Sequence, residues 1–305
     1  MLTAHRTFDD RATVLALNVL PSLIARESLI ARTELQKVLI PYFQAKHDQE
    51  PDVSEIIRER GRIFRREGYT DEELGVQEIT LPWVGTTNTV PALFWMFVHL
   101  FAMPEYVVRV RDEVEAVVAL TANSSQEGRV AVIEVSKLET HCPVLNACYQ
   151  ESLRLYLLNP GNRRVMKDTT LQDADNGREY LLKQGVNVQW SPGVTHYLDS
   201  VWGEGSSKFN PERFLSPTAQ DDKQRRGAML PFGGGRYLCP GRKLAVSEIL
   251  GFIGVLALGY EVEGLHLPEQ EYGTSPVRPS WDGTDPGFKL SRRAGWEDVT
   301  WTFVQ

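Results

Sequence analysis

Three groups of residues in this sequence have types and spacing that could do chemistry. They are one cysteine in a glycine loop, a glutamate–arginine pair with a second arginine downstream, and a run of small hydroxyl residues among helix breakers. The cysteine is Cys239, in residues 231–241, PFGGGRYLCPG. Three consecutive glycines open backbone conformations closed to other residues and let the chain approach a flat or bulky partner closely. Pro240 biases Cys239 away from helical dihedrals, and the Pro-Gly pair then leads into a helical pattern. A thiolate there would face the positive end of that helix, which suits a permanently ionised metal ligand. A buried structural cysteine beside a glycine turn carries the same local signature. A phosphate loop needs Gly-Lys-Ser/Thr at its end, and none follows. A zinc site needs a second Cys or His at ligand spacing, and Cys239 has none. His141, Cys142 and Cys148 fall along a helical stretch and read as packing residues.

Glu151 and Arg154, three residues apart, share one face of a predicted helix and can pair there. An E-x-x-R pair by itself is common on solvated helix faces. The hydroxyl run is Val84-Gly85-Thr86-Thr87-Asn88-Thr89, with Pro82 and Pro91 on either side. Such breakers destabilise a helix interior by up to about 3 kcal/mol each. The segment is therefore either a kinked core helix or a helix opened so that something can approach its backbone.

The elements that must position these groups are mostly helices. Helical spacing of apolar residues runs over 12–24, 28–43, 105–118, 135–156 and 242–259, and a charged stretch covers 54–68. Thr70 followed by Asp71, Glu72 and Glu73 is a helix start, and the helix it opens is predicted to reach about residue 102. From residue 163 the pattern changes to short β-rich segments between Gly and Asp turns, giving an α+β chain with most of its mass helical. With 305 residues, 42% hydrophobic, the chain can bury a large core, and no linker divides it. A formal charge of −7 argues against general nucleic-acid affinity, and three cysteines are too few for a disulfide framework. No signal-peptide pattern is visible. The most apolar run, 90–103, is shorter than the roughly 20 residues a bilayer crossing needs.

Phe232, Gly235, Cys239 and Gly241 have the spacing F-x-x-G-x-x-x-C-x-G of the heme-binding loop of cytochrome P-450 heme-thiolate enzymes. Upstream, in the family's order, stand E-x-x-R at Glu151 and Arg154 and the segment NPERF at 210–214, which contains Arg213. From about residue 71 onward the chain resembles the C-terminal part of that family. VTHYLDSVWG, through His196 and Trp202, adds to the likeness. GTTNTVPALFW and ADNGREYLLKQG are most similar to the sterol hydroxylase and prostacyclin synthase branch, or to a fungal relative of it.

The resemblance implies a mainly α fold with small β-sheets, the P-450 fold lacking its N-terminal portion. It implies one truncated domain over 1–305, with the I helix at about 71–102, the K helix at about 135–156, the heme loop at 231–241 and the L helix at about 242–259. It implies heme b with Cys239 as thiolate axial ligand, pushing electron density that favours O–O cleavage. Phe232, Gly235, Arg236, Gly241 and Arg163 would contact the cofactor, Arg163 by pairing with a propionate. Glu151, Arg154 and Arg213 would form a structural network. Thr87, Asn88 and Thr89 would line the oxygen and substrate side. The implied activity is a monooxygenase inserting one oxygen of O2 into an apolar sterol, lipid or secondary metabolite. Electrons would come from an NADPH-dependent flavoprotein reductase, docking on a basic face of Lys223, Arg225, Arg226, Arg236, Arg242 and Lys243. The alternatives are a heme-thiolate isomerase or dehydratase that does not use O2, and a non-catalytic remnant. The branch implies the endoplasmic reticulum membrane, although its anchor is not in this sequence.

Two residues depart from the family pattern. The acid and alcohol of the usual A/G-G-x-D/E-T-T run are replaced by Thr87 and Asn88, neither of which titrates usefully. The arginine two residues before the cysteine is Tyr237, with Arg236 displaced by one position.

Overall fold

Pro82 and Pro91 decide where the apolar segment after Thr70 breaks. A proline ring clashes with the carbonyl four residues back, at Glu78 and Thr87 respectively. In the computed structural model the helix is interrupted at those two places, leaving Asp71–Gln77, Thr80–Thr86 and Thr89–Phe101. Each proline is then the third residue of a new helix, where its missing N–H would have had no intrahelical partner. The helix expected over 71–102, kinked or opened at its breakers, is thus three helices in succession. Its start is as expected: Thr70 accepts from the Glu73 N–H, and the Glu73 carboxylate accepts from the Thr70 N–H. The structure describes residues 2–122, 128–173, 176–215, 217–271, 276–280 and 287–304. Ala174 and Asp175 of the ADNGREYLLKQG stretch lie outside the described residues.

The chain divides into two compact units, residues 1–88 and 89–305. The first is helical. Phe8, Ala12, Leu15, Ala31, Leu35 and Ile79 form its small core. Helix Arg26–Gln44 packs tightly on Asp71–Gln77, where a Cβ on Gly75 would meet the Ile40 Cα at 2.5 Å. The expected helix over 12–24 is two short ones, Ala12–Leu17 and Pro21–Ile24, because Asn18 and Leu20 take left-handed conformations between them. Arg65 binds the buried Asp48 carboxylate through two bonds of 2.7 and 2.8 Å and Asp71 at 2.7 Å.

The second unit holds the larger core, built on helices Thr89–Phe101, Pro104–Val117, Pro143–Tyr156 and Arg242–Gly259. The helix expected over 135–156 is divided at Cys142 into Val135–His141 and Pro143–Tyr156. Pro143 forces this division, since it excludes the helical region for Cys142 (φ −114°, ψ 73°) and itself sits at the first helical position. The Cys142 side chain has no oxygen to cap that helix, and Glu113 on helix Pro104–Val117 accepts from the Val144 and Leu145 N–H groups instead. Helix Arg242–Gly259 matches the expected 242–259.

A three-stranded sheet has Arg129–Glu134 at its centre, antiparallel to Ala119–Ala122 and parallel to Val299–Val304. Four two-stranded sheets complete the β structure. One of them, Gly161–Arg164 against Asn187–Trp190, belongs to the site.

Candidate functional site

Helix Pro143–Tyr156 is the frame on which the site is built. Its inner face buries Glu151 and Arg154 completely. The two pair through Arg154 Nε and Nη2 to the two carboxylate oxygens, each at 2.7 Å. A buried charge pair is tolerable only when its remaining donors and acceptors are also satisfied. Here they are: the Asn210 N–H donates to Glu151 at 2.9 Å, and Arg154 Nη1 donates to the His196 carbonyl. Arg213, on the short helix Glu212–Leu215, joins the same carboxylate at 3.4 Å. Its other nitrogens donate to the carbonyls of Trp202 and Gly205. The Glu151, Arg154 and Arg213 network expected from the sequence is therefore present. It ties helix Pro143–Tyr156 to the 196–213 meander.

His196 extends this frame to the cysteine loop. It is fully buried. Its Nδ1 lies 2.8 Å from the Arg154 carbonyl, and the Leu230 N–H donates to its Nε2 at 3.2 Å. The carbonyl can only accept and the Leu230 amide can only donate, so the ring is neutral with its proton on Nδ1. Burial agrees, pulling the His196 pKa down from 6.5 to about 4. Trp202 packs edge-on to the ring at 6.3 Å and under the Arg154 guanidinium at 5.1 Å. The sequence singled out His196 and Trp202 by resemblance, but its periodicity gave no sign that His196 bridges the Arg154 carbonyl and the Leu230 N–H.

The loop follows directly from Leu230. Gly233 N–H donates to the Leu230 carbonyl at 3.2 Å, and Cys239 N–H donates to the Phe232 carbonyl at 3.0 Å, closing the loop on itself. Gly233 and Gly235 have φ of +70° and +63°, conformations that side-chain-bearing residues adopt only with strain. A Cβ built on Gly234 or Gly235 would meet nothing within 4 Å, so this side of the loop is open for close approach. Cys239 is half-buried, and a Cβ on Gly241 would lie 3.8 Å from its sulfur. Phe232 packs against the main core. Arg242 donates to the Cys239 carbonyl at 3.1 Å, whereas Arg236 is exposed. Cys142 and Cys148 are buried thiols pushed up to about 12 by desolvation, which leaves them inert as ligands.

Arg163 reaches the same loop from strand Gly161–Arg164. It donates to the Gly234 carbonyl at 3.4 Å and lies over the Trp190 and Tyr237 rings, at 5.1 and 4.8 Å. Trp190 was not a candidate from the sequence. The available signal was Gly161, whose lack of a side chain leaves room for the indole.

Thr87 and Asn88 occupy the break between Thr80–Thr86 and Thr89–Phe101, and Thr89 opens the second of these helices. The hydroxyls of Thr86 and Thr87 donate to the carbonyls of Pro82 and Trp83 in the turn before them. Of the basic residues, Arg225 donates to the Arg213 and Val201 carbonyls and Arg226 pairs with Asp222 at 2.8 Å. Lys223, Arg226, Arg236 and Lys243 are exposed.

Among the described residues no group of three or more His, Cys, Asp or Glu side chains could hold a metal ion. One sulfur in an open glycine turn with a cationic neighbour is what a flat, anionic, metal-bearing macrocycle requires. Among the described residues no single helix is long and apolar enough to cross a membrane.

A family model described as cytochrome P450 matches residues 18–274. A cytochrome P450 monooxygenase of Gibberella zeae is 34% identical over 310 residues, covering 98% of this chain and 58% of that protein. The 7-alpha-hydroxycholest-4-en-3-one 12-alpha-hydroxylase of Homo sapiens is 26% identical over 263 residues, 81% of this chain and 52% of that protein. Prostacyclin synthase of Bos taurus is 28% identical over 232 residues, 69% of this chain and 46% of that protein. The chain spans about half the length of the curated relatives it matches.

Proposed function

Because this chain belongs to the cytochrome P450 family, whose members bind heme b through a cysteine thiolate, we propose that Cys239 is its heme ligand. The activity we assign is oxygen insertion from O2 into an apolar organic substrate of the sterol, lipid or secondary-metabolite type. The observation that carries the reading is the pinned loop: a half-buried sulfur beside open glycines, held through Leu230 and His196 to the buried Glu151–Arg154 pair.

When bound, the heme supplies the iron at which O2 is activated. The protein's part is to hold the sulfur, orient the macrocycle and control water. Gly233 and Gly235 turn the chain between Phe232 and Cys239, and Gly234 and Gly235 leave that turn open for close approach. The Cys239 N–H bond to the Phe232 carbonyl keeps that turn closed, and Phe232 anchors it to the core. We assign Thr87, Asn88 and Thr89 to the oxygen and substrate side. Their hydroxyl and amide groups order water without titrating, so a proton delivered there is carried by water and not by a side-chain acid.

Electrons come from an NADPH-dependent flavoprotein reductase with an acidic docking surface, which Lys223, Arg226, Arg236 and Lys243 steer. Arg225 and Arg242 are bound to carbonyls and contribute less to that face. The family reading is tested by measuring bound heme per chain for the wild type and Cys239→Ala. The expected result is near-stoichiometric heme in the first and loss of tight binding in the second; equal heme content in both would overturn it. Reduction by the flavoprotein should slow steeply with added salt. Lys223→Glu with Arg226→Glu should flatten that dependence, and an unchanged dependence would remove the docking face.

A further inference from the structure

Arg163 is a cation for which no described carboxylate serves as counter-ion. Its Nη1 donates to the Asn162 carbonyl at 2.8 Å and its Nη2 to the Gly234 carbonyl at 3.4 Å. A guanidinium has five N–H donors and stays charged, so three donors remain beyond those two bonds. What holds it is aromatic: Trp190 and Tyr237 ring centroids lie 5.1 and 4.8 Å from its central carbon.

Both rings are placed for this contact. Gly161 is paired with Trp190 in the antiparallel ladder, and a Cβ on Gly161 would fall 1.8 Å from the indole Cε2. The missing side chain lets the indole lie across the strand, and Arg163, two residues on, projects from the same face. Tyr237 comes from the other direction, at the end of the Gly235–Tyr237 turn. It is 68% exposed, so burial in a core does not explain an aromatic residue at that position. An arginine there would put a second cation beside Arg163. A ring instead attracts the cation already present and shields it from water.

We propose that Tyr237 is a positioning residue: with Trp190 it holds the Arg163 guanidinium beside the cysteine loop, so that its free donors take a carboxylate of the bound heme. This rests on the assignment of Cys239 as heme ligand. In this chain one stacked arginine and its tyrosine then do the work that the family pattern gives to an arginine two residues before the cysteine.

The test is the rate at which the loaded chain gives up its cofactor to excess apomyoglobin, after reconstitution with protoheme or with its dimethyl ester, which lacks both carboxylate charges. With protoheme, Tyr237→Leu should release about 3- to 10-fold faster than wild type, the range of a partly exposed cation–π contact. Tyr237→Phe, which keeps the ring, should stay within ~2-fold. Arg163→Ala should release at least as fast as Tyr237→Leu, and the double variant no faster than Arg163→Ala. With the dimethyl ester the wild type and Tyr237→Leu should release at the same rate. Equal protoheme release by wild type and Tyr237→Leu overturns the positioning role, as does an acceleration that persists with the ester. Either result, with a thiolate-type spectrum retained in the wild type, leaves the Cys239 assignment standing. A wild type that takes up no heme overturns both. Should Arg163→Ala not fold, the comparison of Tyr237→Leu with Tyr237→Phe decides alone.

Discussion

Acidification should loosen the second unit through His196, and replacing His196 should remove that effect. The folded protein keeps the ring neutral down to about pH 4, because it is buried and its Nε2 faces the Leu230 N–H. The charged groups that face it are Arg154 and, through the same network, Glu151; the arginine charge opposes protonation further. In the unfolded chain the ring takes up a proton near pH 6.5. Between those values the unfolded state binds more protons, so stability falls as pH is lowered from about 6.5, and the loss is complete below about 4. At pH 5 the ratio of the two binding polynomials is about 30, which corresponds to ~2 kcal/mol lost relative to pH 7.5.

His99 is depressed to the same value by burial and adds a similar, independent loss. The wild type should therefore lose roughly 4 kcal/mol from these two groups between pH 7.5 and 5, and His196→Gln roughly 2 kcal/mol. Urea unfolding followed by tryptophan fluorescence reports mainly this unit, since six of the seven tryptophans lie beyond residue 88. The variant should also be less stable at pH 7.5, by about 1–3 kcal/mol for each buried group whose bond its amide does not remake. Equal pH-dependent losses in wild type and variant would refute the neutral bridge.

Three further outcomes follow from the same geometry. Glu151→Ala leaves Arg154 charged and buried without its carboxylate, and should cost about 3–5 kcal/mol in urea unfolding, enough to reduce soluble yield. Gly161→Ala drives a methyl into the Trp190 ring; it should cost roughly 1–3 kcal/mol and shift tryptophan emission, whereas an unchanged spectrum would mean the indole does not cross that strand. Gly75→Ala, meeting the Ile40 backbone at 2.5 Å, should destabilise the first unit by roughly 1–3 kcal/mol, and an unchanged thermal unfolding midpoint by circular dichroism would mean that helix Asp71–Gln77 does not pack that closely on Arg26–Gln44.

What could be read directly from the sequence was local or carried by residue identity. The Thr70 cap needed only its neighbours, and helix Arg242–Gly259 needed only its periodicity and the Pro-Gly before it. Glu151, Arg154 and Arg213 were recognised from their types and order, and the fold brings them together. The helix interruptions were legible in kind, since breakers were evident. Their positions depend on which carbonyl each proline ring displaces, at Glu78 and Thr87, and on Cys142 giving up helical dihedrals before Pro143. Strand Arg129–Glu134 was missed because its parallel partner Val299–Val304 lies far away in the chain, and such pairing leaves little local trace. The Arg163 stack was missed for a similar reason. Its two rings come from residues 190 and 237, and only Gly161 marks it locally.

The central claim is that Cys239 binds heme iron as a thiolate, and the reduced, carbon-monoxide-bound absorption spectrum of residues 1–305 tests it most directly. The wild type should show the red-shifted Soret band of a thiolate-ligated heme, and Cys239→Ser should lose it while far-UV circular dichroism stays unchanged. A soluble, folded wild type without that band, or a Cys239→Ser protein that keeps it, would contradict the assignment.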